Sequence, residues 1–219
     1  MRGIFVTGTG TEVGKTVVAA AIARTLAAKG RRLAVFKPAV TGLEEPGEPD
    51  HELLRRASGS EQSDDQIAPY RYGPPASPHF AAELAGERID SSRLLEAARA
   101  AAAGAELLVC EGVGGLMVPL DGDYLIRDLA RDLGLPLVVA AGPALGTINH
   151  TLLTLEAARS SGLDVAAVVL TPWPREPDSI QASNRRTLES LGKAPVFVLP
   201  LLDLASPDSW PPLEVAGAE

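Results

Sequence analysis

The fold is decided by one glycine-rich stretch, GTGTEVGKT at Gly8–Thr16. The apolar run Ile4–Thr7 before it predicts a buried strand, and the alanine-rich run Lys15–Lys29 after it predicts a helix that ends at Gly30. Glycines let the backbone curl so that several N–H groups point inward, and the start of a helix adds unpaired N–H groups and a partial positive charge. A strand, a glycine loop and a helix in this order predict a phosphate-binding loop.

Two residues of this loop have predicted roles in nucleotide binding. Lys15 is expected to reach the β- and γ-phosphates, and Thr16 to offer its hydroxyl to Mg²⁺. Five residues separate Gly8 from Gly14, so the loop is one residue longer than the usual pattern. A glycine-rich turn without a ligand is the alternative. A dinucleotide-binding loop fits less well, because the spacing differs and a lysine, not an acid, ends the second strand.

The rest of the chain alternates between predicted strands and predicted helices. Apolar runs predict strands at Leu33–Lys37, Leu107–Cys110, Leu137–Ala141, Val165–Leu170 and Val196–Leu199. Helices are predicted at Asp50–Ala57, Ser91–Ala103 with Ser91 or Ser92 as N-cap, Tyr124–Leu133, Thr147–Ser160 and Ser179–Leu191. We therefore expect one α/β domain over residues 1–219, with a mostly parallel sheet of about seven strands, helices on both faces, and an irregular surface tail at 203–219.

Composition excludes several classes of function. The 20 Lys and Arg residues are outnumbered by 28 Asp and Glu, which gives a net charge of −8 and no sign of a nucleic-acid-binding face. The single cysteine, Cys110, cannot form an intrachain disulfide and fits a reducing compartment. No apolar run approaches the length of a membrane span. We expect a cytoplasmic protein without nucleic-acid or membrane partners.

Charged side chains follow two of the predicted strands. Lys37 ends the second strand, and Glu111 comes directly after Leu107–Cys110. Ligands of parallel sheets gather at the carboxyl ends of the strands, and a carboxylate there can hold Mg²⁺ opposite a triphosphate. Two alternatives remain: Lys37 is a lysine at the strand edge that extends its charged end into water, and Glu111 forms a surface ion pair. Asp50 opens a short helix, and its position alone favours a helix cap.

Taken together, these segments resemble the dethiobiotin synthetases, which belong to the phosphate-loop NTPases. The matching pieces, in chain order, are Val6–Thr16, Lys37-Pro38 with Thr41-Gly42, Ser77-Pro78-His79, Glu111–Gly115 and Leu145–His150. The resemblance implies a ligase of biotin biosynthesis that uses 7,8-diaminononanoate, CO₂ and ATP or another NTP. One amine captures CO₂ as a carbamate, a carbamate oxygen attacks the γ-phosphate, and the second amine closes the ureido ring.

The resemblance also implies site residues. It assigns catalysis to Lys15 and Lys37, and Mg²⁺ binding to Thr16, Asp50 and Glu111. It assigns substrate binding to Thr11, Thr41, Gly114, Thr147, Ile148 and Asn149, the last three at a helix start that receives the substrate carboxylate across a homodimer interface. It assigns nucleotide binding to Glu12, Val13, Gly14, Lys15, Thr16, Val17, Asp50, Glu111, Gly112, Val113, Gly114, Thr171, Pro172, Pro200, Leu201 and Leu202.

One position departs from the family pattern. Family members often carry an asparagine after the sixth strand to read adenine, and Thr171 stands there in this chain. Threonine cannot offer the paired donor and acceptor of an amide. Base contacts are then expected from the backbone near Thr171 and at Pro200–Leu202, or the enzyme accepts several nucleotides. Two alternative functions are a nucleotide-switch ATPase or regulatory module of the same fold, and a related amidating or cyclising ligase.

Overall fold

The structure is a computed structural model that describes residues 1–217. Its strands are, in chain order, β1 (Gly3–Gly8), β2 (Leu33–Phe36), β3 (Ala39–Val40), β4 (Tyr70–Arg71), β5 (Leu107–Gly115), β6 (Pro119–Asp121), β7 (Tyr124–Leu125), β8 (Leu137–Ala141), β9 (Val165–Trp173) and β10 (Val196–Pro200). Its α-helices are α1 (Lys15–Ala28), α2 (Asp50–Ser58), α3 (Asp64–Ile67), α4 (Pro78–Leu84), α5 (Ser91–Ala101), α6 (Ile126–Leu133), α7 (Thr147–Ser160) and α8 (Ser179–Leu191). Within residues 1–217, each helix is too short or too polar to cross a bilayer.

Six strands form the central sheet, in the order β10-β9-β8-β1-β5-β2, and all of its neighbouring pairs are parallel. The expected α/β class with a mostly parallel sheet is confirmed, whereas the expected count of about seven strands differs by one. The short strands pair separately, β3 with β4 and β6 with β7. Because β1 lies between β5 and β8, the chain turns in opposite directions on its two sides, which opens a crevice at the carboxyl end of β1.

The core lies on both faces of this sheet. Ile4 and Val6 of β1 pack into one cluster with α1 and α2, and the intervening Phe5 packs into another with α5 and α6. Successive side chains of a strand point to opposite faces, so a strand covered on both sides is apolar at every position. This explains why the predicted strands read as unbroken apolar runs.

Several element boundaries differ from the expectations. Asp90, not Ser91 or Ser92, is the N-cap of α5, and its carboxylate accepts hydrogen bonds from the N–H groups of Ser92 and Arg93. Residues Tyr124–Leu125 are not helical, because they pair antiparallel with Pro119–Asp121. In these places a longer-range partner or a better cap overrides the local pattern.

The C-terminal segment is also less peripheral than expected. It is irregular from Leu201 onward except for a short 3₁₀ turn at Pro207–Ser209. However, the side chains of Trp210, Leu213 and Val215 are buried in the cluster that contains α1, so a purely surface tail was the wrong expectation. The indole N–H of Trp210 donates to the carbonyl oxygen of Asp203 at 2.7 Å. Trp210 is therefore a core side chain. The tail positions 218 and 219 lie outside the described residues.

Candidate active site

The glycine loop lies where the sequence placed it, between the end of β1 and the start of α1. Gly14 caps α1 with φ 82°, a left-handed conformation that glycine adopts without strain. A Cβ at Gly8 would lie 2.6 Å from Cγ2 of Val13, so the loop closes tightly over its first glycine. The ammonium of Lys15 donates to the carbonyl oxygen of Gly10 at 2.8 Å. The loop thus holds its own lysine over the helix start, where phosphate oxygens would bind.

A compact charged cluster lies beside the loop. Lys37 comes directly after β2, and its Nζ lies 2.5 Å from Oε1 of Glu111 and 2.7 Å from Oδ2 of Asp50. The hydroxyl of Thr16 lies 2.9 Å from Oδ1 of Asp50 and 2.8 Å from Oε1 of Glu111. One ammonium and one hydroxyl therefore bridge the same two carboxylates. The cluster joins four segments that are far apart in sequence.

Two members of the cluster sit differently from expectation. Glu111 lies inside β5, not at its end, because the strand continues to Gly115. Asp50 does not cap α2. Pro49 occupies the N-cap position, Asp50 is the first helical residue, and its carboxylate turns to Thr16 and Lys37.

Burial and charge shift the pKa values of this cluster in opposite directions. Burial alone would lower the pKa of Lys37, but the carboxylates of Glu111 and Asp50 outweigh it and raise that pKa. Burial raises the pKa of Glu111 above its ordinary value. For Asp50, the ammonium of Lys37 and hydrogen bonds from Lys37 and Thr16 overcome burial and lower the pKa. Lys37 is therefore held in its protonated form.

The pKa of Lys15 moves the other way. Burial lowers it first, and the nearby ammonium of Lys37 lowers it further, although Glu111 and Asp50 partly oppose this. Two ammonium groups close together stabilise an anion between them and repel each other without one. The pair is suited to a ligand that carries several negative charges.

The oxygen atoms of the cluster fit a hard divalent cation. Oε2 of Glu111 is buried without a hydrogen-bond partner, which is costly unless another group binds it. In residues 1–217, no three His, Cys, Asp or Glu side chains group together as a metal site. The two carboxylates and the Thr16 hydroxyl would be a partial ligand set, as is usual for Mg²⁺, which completes its shell with phosphate oxygens and water.

The loop and the cluster open into one large cavity of about 790 Å³. More than half of the predicted site residues line it: Thr11, Glu12, Gly14, Lys15, Thr16, Val17, Lys37, Thr41, Asp50, Glu111, Val113 and Gly114. The structure thus brings both predicted catalytic lysines, all three predicted metal ligands and two of the predicted substrate threonines to one place.

The remaining predicted residues lie outside this cavity. Gly112 is buried, and a Cβ there would lie 2.9 Å from the ring of Phe5. Thr171 is buried after the apolar run of β9. A Cβ added at Gly14 would lie 2.7 Å from the Cγ2 atom of Thr171, so Thr171 lies against the phosphate loop on the side away from the cavity. The others that do not line the cavity are Val13, Thr147, Ile148, Asn149, Pro172, Pro200, Leu201 and Leu202.

The cavity also contains residues that the sequence reasoning missed. Ser77 and Pro78 line it, which gives a location to a motif that had no predicted role. The others are Gly42, Glu45, Glu48, Leu53, Pro75, Ala76, Val118 and Leu204. Most come from loops in the weakly patterned region 39–91 or from the C-terminal segment. The sequence indicated these residues only through two short matches to the family motifs, Thr41-Gly42 and Ser77-Pro78-His79.

Comparisons with known proteins identify the family of the chain. A family model described as an AAA domain matches residues 2–207. A protein of Anaeromyxobacter dehalogenans strain 2CP-1, named ATP-dependent dethiobiotin synthetase, is 46% identical over 202 residues, which cover 91% of this chain and 90% of the relative. A protein of the same name from Bacillus subtilis strain 168 is 36% identical over 198 residues, with 90% and 86% covered. The chain belongs to the dethiobiotin synthetase family. The ligase class expected from the sequence is thereby confirmed.

The fold extends beyond this family. A ParA family ATPase from Chlorobium tepidum superposes with a TM-score of 0.59 over 94% of this chain and 89% of its own, at 10% sequence identity. At that identity the likeness establishes the fold alone. Membership of the dethiobiotin synthetase family therefore outweighs the alternative of a nucleotide switch, which rests on the fold only.

Proposed function

We propose that this chain converts 7,8-diaminononanoate, CO₂ and ATP into dethiobiotin with the help of Mg²⁺. The observation that carries the proposal is the convergence of Lys15, Lys37, Thr16, Asp50 and Glu111 on one cavity beside the phosphate loop. Phosphoryl transfer needs positioning and charge neutralisation more than covalent participation by the protein. The ammonium groups of Lys15 and Lys37 and the carboxylates of Asp50 and Glu111, gathered beside the start of α1, are suited to the positioning and to the charge neutralisation.

Lys37 has the central catalytic role in this proposal. One substrate amine binds CO₂ and loses a proton to form a carbamate. A carbamate oxygen then attacks the γ-phosphorus, the bond from that phosphorus to the β–γ bridging oxygen breaks, and ADP leaves. Both reactants are anions, so their approach is opposed by charge repulsion. The ammonium of Lys37, kept protonated by its carboxylate neighbours, neutralises that repulsion. The second amine then attacks the carbonyl carbon of the mixed anhydride, phosphate leaves, and the ring closes.

The other cavity residues bind and orient the reactants. Lys15, which now donates to a loop carbonyl, turns to the β- and γ-phosphates when nucleotide is present. Thr16, Asp50 and Glu111 would hold Mg²⁺, which would supply charge stabilisation on the phosphate oxygens. Thr11 and Thr41 hydrogen-bond the carbamate or the diamine from the cavity wall.

The start of α7 lies apart from this cavity, and we propose that it serves the partner protomer of a homodimer. The N–H of Thr147 donates to the carbonyl oxygen of Ala144 at 3.2 Å, so the first-turn N–H groups of Ile148 and Asn149 are the ones that suit a carboxylate. Leu145 just before it is 86% exposed and Leu153 on the helix is 60% exposed, which supports a contact surface there. A cytoplasmic location and a single ligase domain over residues 1–219 belong to the same proposal.

Nucleotide recognition is the less specific part of the proposal. Thr171 offers a hydroxyl and no amide, so we expect adenine contacts from the backbone near Thr171 and Pro172 and from Pro200–Leu202. Thr171 and Pro172 lie in the last part of β9, where Thr171 contacts the phosphate loop, and Pro200 ends the neighbouring strand β10. The same arrangement allows other nucleoside triphosphates to bind.

The test is a turnover assay of the purified protein. Phosphate release is measured with ATP and Mg²⁺, with and without 7,8-diaminononanoate and bicarbonate, and dethiobiotin is identified by mass. We expect release only when both the diamine and bicarbonate are present. Release at the same rate without the diamine would overturn the proposal and favour a nucleotide switch.

A further inference from the structure

Arg56 of α2 joins two segments that are distant in sequence. Its Nε lies 2.9 Å from Oε1 of Glu48, and one terminal nitrogen lies 2.6 Å from Oε2 of the same carboxylate. That nitrogen also donates to the carbonyl oxygen of Leu204 at 2.8 Å. A planar guanidinium is suited to this task, because its donors form a fixed fork that holds a carboxylate and a second acceptor at defined angles.

Both partners of Arg56 belong to the wall of the large cavity. Glu48 and Leu204 line it, together with Leu53 one turn earlier on the helix that carries Arg56. The head of the same helix supplies Asp50 to the charged cluster. One surface arginine thus connects the loop before α2 and the segment after β10 along one edge of the cavity.

That edge lies on the sheet face that carries several predicted nucleotide-binding residues. Val17 and Leu202, both predicted to bind nucleotide, pack on the hydrophobic cluster that contains Leu53. Val113 and Val118 pack on the cluster of the opposite sheet face and also line the cavity. In phosphate loops the α- and β-phosphates meet the backbone at the start of the helix, and Val17, in the first turn of α1, lines the cavity there.

We propose that Arg56 is a positioning residue for nucleotide binding. It holds Glu48 and the Leu204 backbone in place, and these two residues form the part of the cavity wall that the nucleoside contacts. This rests on the proposed function only in that the ligand is ATP. Arg56 does not line the cavity itself, so it acts through its partners.

A purely structural role is disfavoured by exposure. The side chains of Arg56 and Glu48 are 38% and 32% exposed, and ion pairs this accessible contribute little to folding stability. Losing the pair should therefore change the position of the wall more than the stability of the protein. Nucleotide affinity, not the unfolding temperature, is the informative measurement.

The chain provides a matched control. Arg24 of α1 also ties a helix to the C-terminal segment, through Asp208 at 2.6 Å, but this pair does not line the large cavity. Arg56→Ala and Arg24→Ala each remove one arginine that anchors the same segment. Arg56→Lys keeps the charge and loses the fork.

The experiment measures the Kd of a non-hydrolysable ATP analogue by equilibrium titration, and the KM and kcat of the full reaction. We expect Arg56→Ala to raise the Kd and the KM for ATP about tenfold, with kcat and the KM for the diamine within about twofold. Arg56→Lys should recover part of the affinity, and Arg24→Ala should match the wild type.

Two results would overturn the proposal: a wild-type Kd for Arg56→Ala, or an equal loss of affinity in Arg24→Ala. Because binding of the analogue needs no diamine, the titration is independent of ring closure. A protein that fails to make dethiobiotin but still loses nucleotide affinity in Arg56→Ala would refute the proposed function and support the role of Arg56.

Discussion

Two parts of the cavity wall differ in how far the sequence alone predicts them. At the phosphate end, Lys15 and Lys37 follow or adjoin buried strands and belong to recognisable motifs. At the edge that Arg56 connects, Glu48, Leu53 and Leu204 come from segments without any motif. A residue that follows a buried parallel strand has a predictable location, because all such strands end at one edge of the sheet. Residues on loops have no such constraint, and only folding brings them together.

The largest expected effect tests the phosphate end. Lys37→Met should lower kcat about 10²- to 10³-fold, because the variant loses the positive charge between two approaching anions. Nucleotide affinity should stay within about twofold, since Lys15 and the loop remain. Steady-state turnover with the diamine and equilibrium titration of an ATP analogue measure the two quantities.

Lys15→Met is the comparison variant for this first prediction. It should weaken nucleotide binding as well as turnover, because Lys15 is expected on the phosphates themselves. Near-normal ring closure by Lys37→Met would remove Lys37 from the mechanism.

The second prediction concerns stability and pH. Lys37→Met should lower the free energy of unfolding of the ligand-free protein by about 3 kcal/mol at neutral pH, because it leaves Glu111 and Asp50 without their cation. In the wild type the pKa of Asp50 is lowered, so its stabilising contribution is present above the ordinary carboxyl pKa and is lost as the pH falls through the lowered value. The difference between variant and wild type should therefore shrink in acid.

Urea unfolding at neutral pH and at about pH 3, below the ordinary aspartate pKa, measures this difference. The double variant Lys37→Met/Glu111→Gln should recover part of the stability, since the buried carboxylate is removed together with its partner. A loss that is the same at both pH values would contradict the assigned electrostatics.

The third prediction tests the anchoring of the C-terminal segment. Leu213 is 4% exposed, and its N–H donates to the hydroxyl of Thr25 at 2.9 Å. Leu213→Ala should lower the free energy of unfolding by about 2–3 kcal/mol, because it leaves a cavity against α1. Leu201→Ala is the control: that side chain is 83% exposed, and the change should stay within about 0.5 kcal/mol. Equal effects would mean that the segment does not pack as described.

The smallest expected effect lies where the loop meets β9. A Cβ at Gly14 would lie 2.7 Å from Cγ2 of Thr171, and φ there is 82°. Gly14→Ala should lower stability by about 1–2 kcal/mol. Adding Thr171→Ser should restore only part of this, because it removes the methyl group but not the backbone strain.

The control for that variant is Gly10→Ala. A Cβ at Gly10 would meet nothing within 4 Å. Thermal unfolding of the variants compares them. If Gly14→Ala were as well tolerated as Gly10→Ala, the close contact between the loop and Thr171 would be wrong.

Much of the fold could be read from apolar runs. The strand at Leu137–Ala141 and the helices at Thr147–Ser160 and Ser179–Leu191 have the predicted bounds. The errors arose where a distant partner decided the outcome. Tyr124–Leu125 has a helical pattern locally, yet it pairs with Pro119–Asp121, and the tail at Leu213 has no periodicity, yet it packs on α1. Local propensity is a weak signal when tertiary contacts oppose it.

The candidate site divides in the same way. The residue types and order of the phosphate loop, Lys37 and Glu111 were sufficient to predict a phosphate-binding edge. The position of Asp50 in the sequence favoured a helix cap, and only the family resemblance assigned it to the metal site with Thr16. Its contact with Lys37 depends on burial beside a cation, which the local sequence does not encode. It also could not locate Ser77 and Pro78 in the cavity wall.

By itself, the sequence determined an α/β chain with a phosphate loop, and two lysines and an acid at the carboxyl edge of its sheet, since strand order along the chain and buried apolar runs fix where those residues lie. Only the tertiary structure decided which loops close the cavity, that one ammonium bridges Asp50 and Glu111, and that Arg56 ties Glu48 to Leu204. These are contacts between segments far apart in the chain, and they depend on the geometry of the packed sheet and helices, which no local pattern encodes.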